Sequence, residues 1–99
     1  MVVVAVRVRV KPSKREDLIR MAQEMLAPSR AEKGCISYNF FADTADANAF
    51  LYFEEWESHS ALKAHAQTEH YSRYSRALPD VLERPSEIRV YDVSKVELR

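Results

Sequence analysis

The sequence has a single cysteine, a single glycine, one tryptophan and no net charge. One thiol, Cys35, excludes a disulfide within the chain and with it the small disulfide-stapled class of folds. It agrees with a reducing compartment, and a cytoplasmic protein is expected. Fifteen Lys and Arg balance fifteen Asp and Glu. Neither sign forms a long block, so neither a nucleic-acid footprint nor an anionic membrane partner is expected. No apolar run approaches the roughly 20 residues that a membrane-spanning helix needs. The opening MVVVAVRVRVK places its basic residues after the valines and lacks a small-residue cleavage site, which argues against an export signal.

What the chain does have is apolar residues, 46% of 99, and aromatic residues, 10%. That suits one globular domain over residues 1–99 with a single core, roughly a third of whose unfolded surface stays exposed after folding. From Val2 to Val10, valine occupies the even positions, with Val3, Ala5, Arg7 and Arg9 between them, the period-two pattern of a strand with one buried face. Ser13 and Glu16 have capping-box spacing, predicting a helix from about Lys14 through Leu18, Ala22, Met25 and Ser29. Pro28 should kink or end that helix, although the polar SRAEK can carry one more turn up to Gly34, which suits the left-handed residue that reverses the chain after it. Residues 35–42 and 49–56 read as an antiparallel hairpin across the polar DTADAN turn, apolar on both faces, with Ile36, Tyr38 and Phe40 opposite Cys35, Asn39 and Phe41. Ser58 and Thr68 are positioned to cap two further helices, with a bend or break at Pro79, and SEIRVYDVSKVEL supplies a last strand. The order is that of a split βαβ unit. The expected fold is therefore α+β, a four-stranded antiparallel sheet with helices on one face. Its other face is apolar and aromatic, which predicts a homodimer packed through the sheets.

RAEKGCISYNFF, followed by FEEWESHSALKAHAQTEHYSRYSRAL, resembles the antibiotic biosynthesis monooxygenase family, and within it the small quinol-monooxygenase-like bacterial members. The resemblance spans nearly the whole chain. It is most specific at the Glu-Glu-Trp strand end, the Ala-x-x-x-His that follows and the Thr-x-His on the next helix. It implies a ferredoxin-like dimeric α/β barrel with a pocket between sheet and helices. It also implies oxidation of quinols or phenolic polycycles by dioxygen without metal, flavin or other cofactor. Relatives include a heme-degrading branch, whose Asn, Trp and His positions hold Val6, His65 and Ser75 here, so heme degradation is not expected. The anthrone-oxidising members match at Trp56 but not at Tyr52 or Leu62, and an arginine that acts in them falls near Arg76. The quinol-monooxygenase-like members carry histidines at the positions of His65 and His70, and usually a proline where this chain has Glu69. A further branch isomerises a small phosphorylated hydroxy-ketone, so such an isomerase is the alternative reading, beside a dimer that binds small aromatics without chemistry.

Oxygenation without a cofactor needs a base to form an electron-rich anion and an apolar chamber in which that anion meets dioxygen. His65 is the candidate base, since a neutral imidazole is available near pH 7; the bland alternative is a helix-end histidine bonded to a carbonyl or carboxylate. Glu54 either orients a histidine or pairs with Arg7 or Arg9. Trp56 either forms a pocket wall or packs in the core, as do Tyr38, Phe50, Tyr52 and Tyr74. Asn39, His70 and Arg76 complete the candidate substrate contacts, while Cys35 reads as a packed thiol and His59 as a surface residue. The three histidines are spaced by six and five residues. That is not the i, i+4 pattern that puts two metal ligands on one helix, so no metal site is expected.

Overall fold

The valine alternation at the start of the chain becomes the strand β1 (Val2–Arg9) in a computed structural model that describes residues 1–99. Val2, Val4 and Val8 are buried, and Val10 just beyond the strand is fully so. After a single 3-10 turn at Pro12–Lys14 come α1 (Arg15–Arg30), β2 (Cys35–Ala42), β3 (Ala49–Trp56), α2 (His59–His65), α3 (Glu69–Val81) and β4 (Glu87–Asp92). The strands form one antiparallel sheet in the order β2-β3-β1-β4. That is the split βαβ, ferredoxin-like α+β arrangement expected from the sequence. No helix is long and apolar enough to cross a membrane.

One sheet face carries the core. Val2, Val4 and Val8 of β1 and Phe50, Tyr52 and Trp56 of β3 pack with Leu18, Ala22 and Met25 of α1 and with Val81 and Leu82 at the end of α3. The other face presents Val3 and Ala5 of β1, Leu51 and Phe53 of β3, Phe41 of β2 and Tyr91 of β4; Phe41 and Tyr91 are exposed. Ile88 and Val90 share the core side with Val6 and Val4, yet both stand exposed, so the helices leave β4 uncovered.

Several local expectations change. Ser13 does not cap α1: Pro12 starts a 3-10 turn, which its fixed φ favours, and Ser13 falls inside that turn while Lys14 stands at the helix start without a side-chain cap. Past Pro28, α1 runs on to Arg30 and Ala31 N–H still reaches the carbonyl of Ala27, the further turn that SRAEK allows. Pro79 is likewise tolerated inside α3. In β2 a bulge between Cys35 and Ser37 shifts the register. Cys35 therefore packs against the core and Ile36 turns out to solvent, the reverse of simple alternation. The last strand stops at Asp92, which pairs with Val2, and Val93 N–H still reaches the carbonyl of Met1.

The expected helix stops and starts elsewhere hold. Gly34 has φ +87°, and its carbonyl accepts from Glu57 N–H. Ser58 Oγ accepts from Ala61 N–H and Thr68 Oγ1 from Tyr71 N–H, so α2 and α3 each begin on a side-chain cap. These two caps fix the corner from which His65 and His70 project.

Candidate active site

His65 is the last residue of α2 and is almost wholly buried, at 2% exposure. Its ring lies 4.7 Å from that of Trp56, 5.1 Å from Tyr71 and 5.6 Å from Tyr38, centroid to centroid. The backbone at this corner is held by Thr68, whose hydroxyl donates to the His65 carbonyl at 2.8 Å. Nδ1–H of the imidazole donates to Glu32 Oε2 at 2.7 Å, and His70 Nε2–H donates to the same oxygen at 2.7 Å. A carboxylate only accepts, so this bond puts the His65 proton on Nδ1 and leaves Nε2 as an acceptor. Burial pushes the His65 imidazole below its ordinary pKa, against the opposing pull of Glu32.

The ring borders a cavity of about 510 Å³ between the sheet and α3. Val6, Tyr38, Tyr52 and Glu54 come from the sheet, Tyr71, Tyr74, Ser75 and Leu78 from α3, and the segment Leu82–Ser86 with Ile88 closes the far side. Glu54 is 5% exposed and accepts from Trp56 Nε1–H at 3.0 Å. Its carboxyl is pushed up to about 7 by burial, restrained by the indole bond and raised further by the charge of Glu32. Tyr74 donates its hydroxyl to that of Tyr52, and burial raises the phenols of Tyr38, Tyr52 and Tyr74, keeping them as O–H groups. An imidazole acceptor, a carboxyl that exchanges its proton near neutrality and buried phenol donors thus meet around apolar walls. Such a set has the chemistry to hold a flat, partly polar molecule and to exchange protons with its oxygens.

The candidate residues divide by where the fold puts them. His65, Glu54, Tyr38, Tyr52 and Tyr74 border the cavity. Trp56 does not form its wall; it is fully buried behind His65, held there as the partner of Glu54 two residues away on the same strand face. Glu54 in turn serves the indole rather than the histidine. His70 points back to Glu32 instead of into the cavity. Asn39 is on the opposite sheet face, where its side-chain oxygen accepts from Arg30 at 3.2 Å. Phe50 lies beyond the cavity, stacked on Phe40 at 4.9 Å with the Arg15 guanidinium over its ring. Arg76 is exposed on α3 and does not line the cavity. Arg9 is committed to Asp46 and Glu83, so the only arginine on the cavity wall is the exposed Arg84.

Sequence reasoning missed Glu32 and the place of Tyr71 against His65. Glu32 sits in the turn after α1, two residues before Gly34, and the chain reversal at that glycine swings it under the α2–α3 corner. The sequence signal was the lone glycine itself, which marks where the turn must fold back onto other elements. The spacing that spoke against a metal also loses its force, since Glu32, His65 and His70 come from three segments and their ligand atoms lie within 4.8 Å of one another.

Residues 1–77 match the family described as antibiotic biosynthesis monooxygenase, and the chain belongs to that family. A protein of Synechocystis sp., itself uncharacterised, is 41% identical over 97% of this chain, which spans only 65% of that relative's length. YcnE of Bacillus subtilis, named as a candidate monooxygenase, is 32% identical over 89% of this chain and 93% of its own. The solved structure of Rv0793 from Mycobacterium tuberculosis superposes with a TM-score of 0.92, at 29% identity and covering 96% of both chains.

Proposed function

We propose that the protein oxidises a quinol or related phenol with dioxygen, with His65 Nε2 as the base that removes the phenolic proton. The observation that carries this reading is the buried imidazole, fixed through Nδ1 by Glu32, with its ring bordering an aromatic cavity. A hydroquinone and one dioxygen give a hydroxyquinone and one water, so the substrate supplies all the electrons and no external reductant or other cofactor enters the balance. The phenols of Tyr38, Tyr52 and Tyr74 bind the ring oxygens, and Glu54 returns a proton as oxygen is reduced. Glu32 is a positioning residue. The active form is a homodimer joined through the apolar sheet face, working in the reducing cytoplasm where Cys35 stays a thiol. Family membership and the names of the relatives support an oxidising activity. A phosphorylated hydroxy-ketone is disfavoured because no buried arginine faces the cavity.

The test is dioxygen uptake with a panel of reduced quinones, corrected for autoxidation. Catalysed uptake that His65→Ala abolishes, and that Glu32→Gln lowers by about 10- to 100-fold in kcat with little change in KM, is the expected result. Uptake no faster than autoxidation, or unaffected by His65→Ala, refutes it.

A further inference from the structure

The cavity lies on one side of His65, and a second arrangement of donors lies on the other. Glu32 Oε2, His65 Nδ1 and His70 Nε2 form a compact trio, with two of its edges 2.7 Å long and all three atoms within 4.8 Å of one another. We propose that this trio binds a divalent transition-metal ion of the zinc type, with these three atoms as its protein ligands and water in the fourth position.

Two imidazoles and one carboxylate form a donor set suited to such an ion, and unlike the all-oxygen sets that magnesium and calcium take. A tetrahedral ion about 2.0–2.1 Å from each ligand holds those ligands about 3.4 Å apart. The two short edges therefore have to open by less than an ångström, within reach of a small rotation of the Glu32 side chain. The longer His65–His70 edge, at most 4.8 Å, has to close toward the same value by a turn of the less buried His70 ring. The ligands come from separate segments whose backbones are held in place, and the side chains of Glu32 and His70 have the freedom to adjust. His65 is packed between Trp56 and Tyr71, and His70 follows the Thr68 cap of α3. The Glu32 and His70 side chains retain 13% and 21% of their exposure, which gives the ion a route from solvent and leaves room for the water. The hydrogen-bonded trio is then the metal-free form of the site, and the ion replaces the shared protons.

One consequence rests on the oxidation reading given above. An ion on Nδ1 uses that nitrogen's lone pair, so the single proton of the neutral ring resides on Nε2. The cavity then faces a donor in place of a base, and metal occupancy switches turnover off.

The site itself is tested without substrate. Metal-free protein is titrated with Co(II), following the visible bands of the bound ion, and with Zn(II) against a chromogenic chelator. One ion per chain is expected, with affinity reduced at least ~100-fold in Glu32→Gln and in His70→Ala, more than loss of an outer partner costs. His59→Ala, which removes a surface histidine paired with Asp92, leaves binding unchanged. Glu32→Gln keeps the side chain's size and an acceptor oxygen, and His70→Gln replaces His70→Ala if the latter unfolds. No stoichiometric uptake by wild type, affinity unchanged in Glu32→Gln and His70→Gln, or loss of binding in His59→Ala would overturn the proposal. Because the readout needs no quinol, its failure leaves the oxidation reading standing, and the reverse holds too.

Discussion

Glu54→Gln should change how the stability of this protein depends on pH. In the folded chain the Glu54 carboxyl holds its proton up to about pH 7, against 4.5 as its ordinary value. The native state therefore binds this proton more tightly than the unfolded chain does, and stability falls as pH rises between those two values. Below about pH 4.5 the group is protonated in both states and contributes nothing; above about pH 7 the full penalty of a buried, ionised carboxylate is present. At about 1.4 kcal/mol per pH unit, the interval from 4.5 to about 7 gives a loss of about 3 kcal/mol. Glutamine retains an oxygen for Trp56 Nε1–H but cannot ionise. Its amide introduces a constant offset of about 1–3 kcal/mol if it lacks a partner, and that offset does not depend on pH. The informative quantity is therefore the difference in unfolding free energy between wild type and Glu54→Gln. Urea titrations at one protein concentration from pH 4 to 8 measure it. The difference should move by about 3 kcal/mol in favour of the variant across the window. A difference constant to within about 0.5 kcal/mol, or one that moves in favour of wild type, would refute the assignment of a buried titrating carboxyl.

Gly34→Ala should cost about 1–3 kcal/mol, because φ is +87° and an added Cβ would meet the Ala61 Cβ at 2.6 Å. Urea denaturation measures this, and a change under about 0.5 kcal/mol would show that the turn relaxes freely. Phe53→Lys on the open sheet face should convert a dimer to a monomer at micromolar concentration without altering the helix content. Light scattering and circular dichroism read the two quantities, and either a monomeric wild type or an unchanged dimer would defeat the sheet-to-sheet assembly.

The parts of this fold that are legible in the sequence are those determined within a few residues. The valines of β1 alternate because one face of that strand is buried. Ser58 and Thr68 stand where a helix start needs a side-chain acceptor, and Gly34 occupies the only position with positive φ. The bulge in β2 could not be read, since an extra residue is defined only against the strand beside it. For the same reason the outward turn of Ile36 went unseen. Glu32 and the two histidines are 33 and 38 residues apart, so their meeting depends on the crossing of α1 over the sheet rather than on any spacing. Neither a histidine nor an arginine takes Glu54, because strand alternation places it beside Trp56 and the adjacent indole N–H reaches the carboxylate first.

The two walls of the cavity are held by unequal means. His65, Glu54 and Tyr52 are fixed by strand register, a helix cap and buried contacts, so a change at any of them disturbs the fold. On the opposite wall Leu82 belongs to the core and Glu83 is tied to Arg9, but Arg84, Pro85 and Ser86 form a connecting segment leading into a strand that the helices leave uncovered. Such connections accept length and side-chain changes that framework positions do not. The shape of that end of the cavity can therefore drift in three residues while the buried groups around His65 keep their places, so one scaffold can change what its cavity admits without repacking its core.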